Sequence, residues 1–376
     1  MNRAIRIAFF ITLVLLVYGG MNLYALGKLG LSLPAAPAVV AAMWLWGLAM
    51  VFAPLTIRYL RHLHWHGAET AMSWVAFVWM GALFLFCCLG LAFDLAHVLT
   101  DAAGASWPLE PKDELLYTGL PTLGLLCYGF FEANRIKIER LHIKTPKLNA
   151  KRITLAQISD MHLGALLGAG FMDRICAKLR EINPDVILAT GDIVDGKGED
   201  LHALAEHFRV LSPPKGAYAI LGNHEYFVGL EDSLRFYRNA NFTVLRGERA
   251  DVGGIAVVGV DDASLGAQAR TVDAGLHAEL TLAHDHRFIV LLKHQPLVDD
   301  AIPFDLQLSG HLHGGQIFPF GLFSRLFYGV RAGLVRLAHG RQLYINRGAG
   351  TWGPPIRLFA PPEITLITIE SEHGLS

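Results

Sequence analysis

Charged residues make up only 17% of this 376-residue chain, and cysteine is nearly absent at four copies. The four, Cys87, Cys88, Cys127 and Cys176, lack the paired spacing of a thiolate zinc site. Three of them sit in apolar runs, where a free cysteine behaves as a small buried hydrophobe. The formal net charge of -1 comes with no basic stripe interleaved with aromatics, so no nucleic acid is expected as a partner. Internal repeats and low-complexity segments are also missing.

What the chain has in excess is apolar surface, 53% of its residues, concentrated before about residue 133. Four runs, roughly 7–26, 35–57, 71–93 and 115–131, approach the roughly 20 residues that cross a hydrocarbon core. Helices are expected there, because lipid offers no partner for backbone polar groups. The fourth run is the shortest and contains Pro121. A cleaved signal peptide would explain Arg3 and Arg6 before the first run, but not the three runs that follow.

Arginine and lysine cluster on alternate loops: Arg3 and Arg6, then Arg58 and Arg61, then Arg135, Lys137, Arg140 and Lys144. That bias places both ends of a four-span bundle in the cytoplasm. Without the fourth span, the C-terminal half would lie on the opposite side. Asp94, at a span end beside a polar loop, reads as an interfacial residue rather than part of a transport path.

From Arg152 the pattern changes to short β-branched runs ending in polar clusters, with helical spacing in 171–182 and 201–211. Strands are expected at 153–158, 186–189, 217–221, 255–260, 288–292, 306–308, 343–345 and 364–369. The expected architecture is α/β: an N-terminal transmembrane helical bundle over 1–133, a charged connector over 134–150, and a two-sheet α/β sandwich over 151–370.

Five clusters follow five of these strands. They are Asp160 with His162, Asp192 with Asp195, Asn223 with His224, His294, and His311 with His313. Loops at the carboxyl ends of strands are where open α/β sheets hold ligands, so the five should meet at one sheet edge. Carboxylate, imidazole and amide oxygen without thiolate suit borderline or hard divalent ions such as Mn²⁺, Fe²⁺ or Zn²⁺. The donors exceed one tetrahedral ion and suffice for two, the arrangement that clamps attacking and leaving oxygens in phosphoryl displacement. Each motif alone could be an ordinary turn; the five in order are hard to obtain by accident.

At these residues the chain resembles the calcineurin-like metallophosphoesterase superfamily over roughly 150–370. It is most similar to the membrane-associated bacterial branch, through Gly314-Gly315-Gln316 and the stretch Gly350-Thr351-Trp352-Gly353-Pro354-Pro355-Ile356-Arg357. The resemblance implies that Asp160, His162 and His313 hold one divalent metal, that Asn223, His294 and His311 hold the other, and that Asp192 bridges them. His224 would stabilise the phosphate or protonate the leaving oxygen, with a metal-activated hydroxide as nucleophile. Asp195 either orients His224 or is a solvated turn residue. The location implied is a bacterial inner membrane.

Three functions stay open: a phosphodiesterase or pyrophosphatase acting on lipid-linked substrates, a tethered phosphoesterase for soluble nucleotides or phosphoproteins, and a non-catalytic metal-binding membrane sensor. Membrane lipids enter as partners through the apolar segment 317–323 with Leu326, Phe327 and Tyr328. It reads either as a bilayer-facing element or as a packed loop over the second sheet.

Overall fold

The computed structural model describes residues 3–32, 36–196, 199–262 and 286–372. The chain forms two compact units: Met1–Phe131 with Gly353–Ile356, and Glu132–Trp352 with Arg357–Ser376.

The first unit is helical, with α1 (Arg3–Ser32), α2 (Pro37–His62), α3 (His66–Ala102) and α4 (Pro111–Ala133). Among the described residues, α2 and α3 are long and apolar enough to cross a membrane. Small and large residues interlock between the helices: Met50, Ala53 and Ile57 of α2 bury against Ala76 of α3. A methyl added at Gly90 of α3 would lie 2.6 Å from the Tyr24 hydroxyl of α1. Such close approach is how helices pack where lipid tails are as apolar as leucine. Leu45, Leu48 and Leu55 of α2 point outward at 56–66% exposure, which suits hydrocarbon surroundings and not water.

Asp94 lies in the C-terminal part of α3, where it accepts a 2.6 Å hydrogen bond from the Tyr24 hydroxyl and pairs with Lys28, which also pairs with Glu114. The partners lie 66–86 positions apart along the chain, a distance no local pattern could signal. Cys127 is exposed rather than buried, whereas Cys87 and Cys176 are buried.

The second unit is built on two six-stranded sheets. One has the order β1 (Lys137–Thr145), β12 (Glu363–Ser371), β2 (Arg152–Ile158), β3 (Val186–Thr190), β4 (Ala217–Ile220), β5 (Thr243–Val244). The other runs β10 (Gly333–Arg336), β11 (Gln342–Ile345), β9 (Leu306–Ser309), β8 (Phe288–Leu292), β7 (Ile255–Gly259), β6 (Glu248–Val252). Every residue of β3, β7, β8 and β9 is buried, as expected of strands covered on both faces. One core joins the sheets through Leu155, Val186, Leu188, Val290, Leu292 and Leu308. A second packs the outer face of the first sheet against α5 (Ala169–Ile182), α6 (Glu199–Arg209) and the helix Leu230–Asn239 through Ile175, Ala205 and Phe236.

Two sequence expectations are corrected. Residues 134–150 are not merely a charged connector: they contain β1, which pairs in parallel with β12 over its full length. Its charges follow from position, because an edge strand keeps one face in water and only Ile143 and Thr145 are buried. The segment after His313 is not a packed loop. It includes a helix, Phe320–Tyr328, in which no residue is buried.

Strands β2, β3 and β4 are mutually parallel, as are β8 and β9, so their carboxyl ends share one edge in each sheet. Each of the five polar clusters begins within three residues of one of those ends.

Candidate metal centre

The loops leave their strands sharply, and the ligand candidates themselves make the turns. Asp160, His162, Asp192, His311 and His313 all have φ between 49° and 71°, the left-handed region. Each such residue with a Cβ costs roughly 1–2 kcal/mol, and such strain gathers at functional sites. The glycines of the motifs supply room. A Cβ on Gly222 would lie 2.2 Å from Asp192 Oδ1, and one on Gly310 would lie 2.2 Å from Asp160 Oδ2.

Three groups of donor atoms result, each with all members within 4.8 Å of one another: Asp160, His162 and His313; His162, Asp192 and His224; Asp192, His294 and His311. In the first, the His162 and His313 Nε2 atoms are 3.0 Å apart, and His313 Nε2 is 3.5 Å from Asp160 Oδ1. In the third, His294 Nε2 lies 3.2 Å from Asp192 Oδ2 and 3.3 Å from His311 Nδ1. Asp192 and His162 each belong to two groups, so the arrangement is one continuous centre.

Whether cations fit can be judged from the donors themselves. Asn223 Oδ1 is buried with no hydrogen-bond partner, a costly state for a lone amide oxygen unless a cation takes it up. Asp160 and Asp192 are 0% and 2% exposed. Buried carboxylates need paired charge or metal. The facing imidazole nitrogens cannot all be satisfied by protons. The residues fit two divalent cations.

The surroundings fix which nitrogen faces inward. His294 Nδ1 donates to the Thr190 carbonyl at 2.8 Å, which leaves Nε2 as the free donor atom. His224 Nδ1 donates to Asp195 Oδ1 at 2.8 Å, and Asp195 Oδ2 lies 3.6 Å from His162 Nδ1. Asp195 thus bonds the His224 ring, as the orienting reading expects, with its side chain 35% exposed. Burial opposes its ionisation, but the adjacent His162 ring and the hydrogen bond from His224 hold its pKa well below the ordinary carboxylate range. Burial also works against the charged form of His224, yet the Asp195 bond and the Asp192 charge raise its pKa above the usual imidazole value.

Four residues with supporting positions had no role at the metal centre assigned from the sequence. Glu225, fully buried, accepts backbone N–H bonds from Asp192, Ile193, Val194 and Gly222 at 2.7–3.2 Å, tying two ligand loops together. Arg357, 0% exposed, donates to the carbonyls of Arg347, Gly350 and Ala360, and its Nη2 lies 3.5 Å from His313 Nδ1. Burial pulls its pKa down to about 10. Gln316 clasps Trp352, its Oε1 accepting the Trp352 N–H and its Nε2 donating to the Trp352 carbonyl. That clasp joins the Gly-Gly-Gln and Gly-Thr-Trp stretches in space. Tyr328 places its hydroxyl 3.0 Å from His311 Nε2. The only signal in the sequence was proximity: Glu225 adjoins His224, while Gln316 and Arg357 fall in or beside the quoted stretches.

Comparison with known proteins agrees with this geometry. The calcineurin-like phosphoesterase profile matches residues 153–315. An uncharacterised metallophosphoesterase of Aquifex aeolicus is 38% identical over 254 residues, covering 65% of this chain and 96% of the relative. One from Helicobacter pylori is 34% identical over 255 residues, covering 66% of this chain and 68% of the relative. A Danio rerio transmembrane protein with a metallophosphoesterase domain is 28% identical over 312 residues, or 77% of this chain and 70% of that protein.

Proposed function

The chain belongs to the calcineurin-like metallophosphoesterase family, metal-dependent hydrolases of phosphoric esters, and from that premise we propose that it is a membrane-anchored phosphodiesterase or pyrophosphatase acting on lipid-linked substrates. The observation that supports this most is the centre itself: two carboxylates, five imidazoles and an otherwise unpartnered amide oxygen at one edge of the sheets.

In this reading Asp160, His162 and His313 would hold one cation, Asn223, His294 and His311 would hold the other, and Asp192, which belongs to two of the donor groups, would be shared between them. Two bound divalent cations supply Lewis acidity toward phosphorus and a hydroxide nucleophile at neutral pH. The chain's own residues do the remaining work. His224 keeps its Nε2 available, because Nδ1 is engaged by Asp195, and there it stabilises a phosphoryl oxygen or gives a proton to the leaving oxygen. Asp195 fixes the tautomer and angle of that ring. His224→Ala in purified protein should lower kcat on a soluble aryl phosphodiester by about 10²–10⁴-fold, the usual weight of a general acid. Metal content should stay at the wild-type level; loss of metal in step with rate would make His224 a ligand instead.

The two apolar helices and the likeness to transmembrane relatives associate the chain with a membrane. We assign it several spans in a bacterial inner membrane, with the catalytic unit on the cytoplasmic side, on the alternation of arginine and lysine among the loops.

The lipid-linked substrate is supported by aromatic exposure beside the centre: Phe320 and Phe323 are 54% and 62% exposed on the helix that follows the His311 loop. The double change Phe320→Ser and Phe323→Ser should reduce hydrolysis of a vesicle-borne phosphodiester at least about tenfold, given roughly 1.5–3 kcal/mol for each buried apolar side chain. Turnover of a soluble aryl phosphodiester should hardly move. Equal loss on both substrates would favour the tethered enzyme for soluble nucleotides or phosphoproteins. No Mn²⁺-dependent turnover of either would leave the non-catalytic sensor.

A further inference from the structure

The helix Phe320–Tyr328 is fastened to the metal centre at both of its ends. At its start, Gly315 packs so tightly on the helix backbone that an added Cβ would lie 2.1 Å from Gly321 Cα. At its end, the Tyr328 hydroxyl hydrogen-bonds His311 Nε2 at 3.0 Å, and the two rings meet edge to face at 5.8 Å. Between these anchors nothing in the second unit buries the helix. Leu326 and Phe327 are each 85% exposed, and Phe318, Leu322 and Phe323 are 50–62% exposed. Soluble monomers rarely display so continuous an apolar patch unless something covers it.

Charge indicates what covers it. From Leu306 to Pro362 the chain contains no aspartate or glutamate, while arginine occurs six times. Arg325, Arg331 and Arg336 of that stretch are exposed. An apolar helix in a stretch of chain that carries exposed cations and no carboxylate of its own complements an anionic lipid surface. The same chain carries two helices long and apolar enough to cross a membrane.

We infer that Phe320–Tyr328 docks on an anionic lipid surface and that Tyr328 transmits this docking to His311, making retention of the second cation sensitive to the membrane. The inference rests on the assignment of His311 as a ligand made above. Tyr328 is a positioning residue: His311 faces the centre through Nδ1, and the phenol on Nε2 sets the ring angle. Hydrogen bonds to the far nitrogen of a ligating histidine are worth about 10–100-fold in metal affinity.

The test uses the full chain in nanodiscs of phosphatidylcholine alone or with phosphatidylglycerol, with Mn²⁺ retention against a chelator as the readout. Wild-type protein should hold its second Mn²⁺ at least about tenfold more tightly in the anionic discs. Tyr328→Phe, which keeps the ring, should lose about 10-fold or more of that affinity and the lipid difference with it. The pair Leu326→Ser and Phe327→Ser should abolish the difference between the two lipids. Unchanged Mn²⁺ retention in Tyr328→Phe overturns the inference, as does a lipid difference that survives the Leu326 and Phe327 changes. A wild-type dimer in detergent that those changes dissociate would mean a second copy covers the helix, and overturns it equally. Wild-type protein that binds no Mn²⁺ at all would instead refute the metal assignment beneath it.

Discussion

Asp192→Asn should reduce phosphodiester hydrolysis by at least about 10³-fold while the protein still accumulates in the membrane. Removing one preorganised group that stabilises developing charge costs roughly 10²–10³ in kcat, and Asp192 belongs to two of the three donor groups at once. Its Oδ2 lies 3.2 Å from His294 Nε2, and its Oδ1 accepts the His224 backbone N–H at 2.8 Å. An asparagine keeps the second contact through its carbonyl oxygen but turns an NH₂ group toward His294 and the cation beside it. Burial at 2% exposure leaves no water to replace the lost charge. Metal analysis should show fewer than two equivalents bound per chain, with the tightly held fraction reduced. Turnover persisting near the wild-type rate would mean that the chemistry takes place elsewhere or belongs to a contaminant.

Asp192 also illustrates what a reader of the sequence could and could not see. Its position after Val186–Thr190 was legible, because a buried strand of apolar residues followed by Gly-Asp leaves the carboxylate at a strand end. The same logic located Asp160, Asn223, His294 and His311. The conformation of the loops was not legible. Nothing in local pattern foretells that Asp160, His162, Asp192, His311 and His313 all take left-handed backbone, since propensity argues against it for each. Long-range packing overrides that preference, and the close approaches at Gly222 and Gly310 show the packing responsible.

Elements whose cues are shared with other structures were also hidden. β1 reads as a charged linker because an edge strand has one wet face. The helix Phe320–Tyr328 carries the apolar content of a core segment yet buries nothing. Composition alone cannot tell a surface that meets lipid from one that meets protein. Arg357 is a harder case. A fully buried arginine surrounded by carbonyl oxygens is intelligible only once the Arg347–Gly350 backbone is seen to wrap around it.

Glu225 carries the largest expected effect on stability. Its carboxylate accepts four backbone N–H bonds and a fifth hydrogen bond from the Tyr237 hydroxyl at 3.1 Å, all in a fully buried site. Burial and the neighbouring Asp192 charge raise its pKa, while the N–H bonds of Gly222 and Val194 favour the ionised form. Glu225→Ala leaves five donors facing a cavity, and removing one partner from a buried charged network costs roughly 3–5 kcal/mol. For a unit of this size each kcal/mol lowers Tm by about 2–4 °C, so a fall on the order of 10 °C is expected in detergent-solubilised protein. Glu225→Gln should lie between, because its amide oxygen can still accept some of these bonds while its NH₂ opposes others. Both changes should also weaken metal retention, since the Asp192 and Asn223 loops share this one carboxylate as their common anchor. A Tm within about 2 °C of wild type for Glu225→Ala would show that the loops are held by the strands alone, and that Glu225 follows their geometry without imposing it.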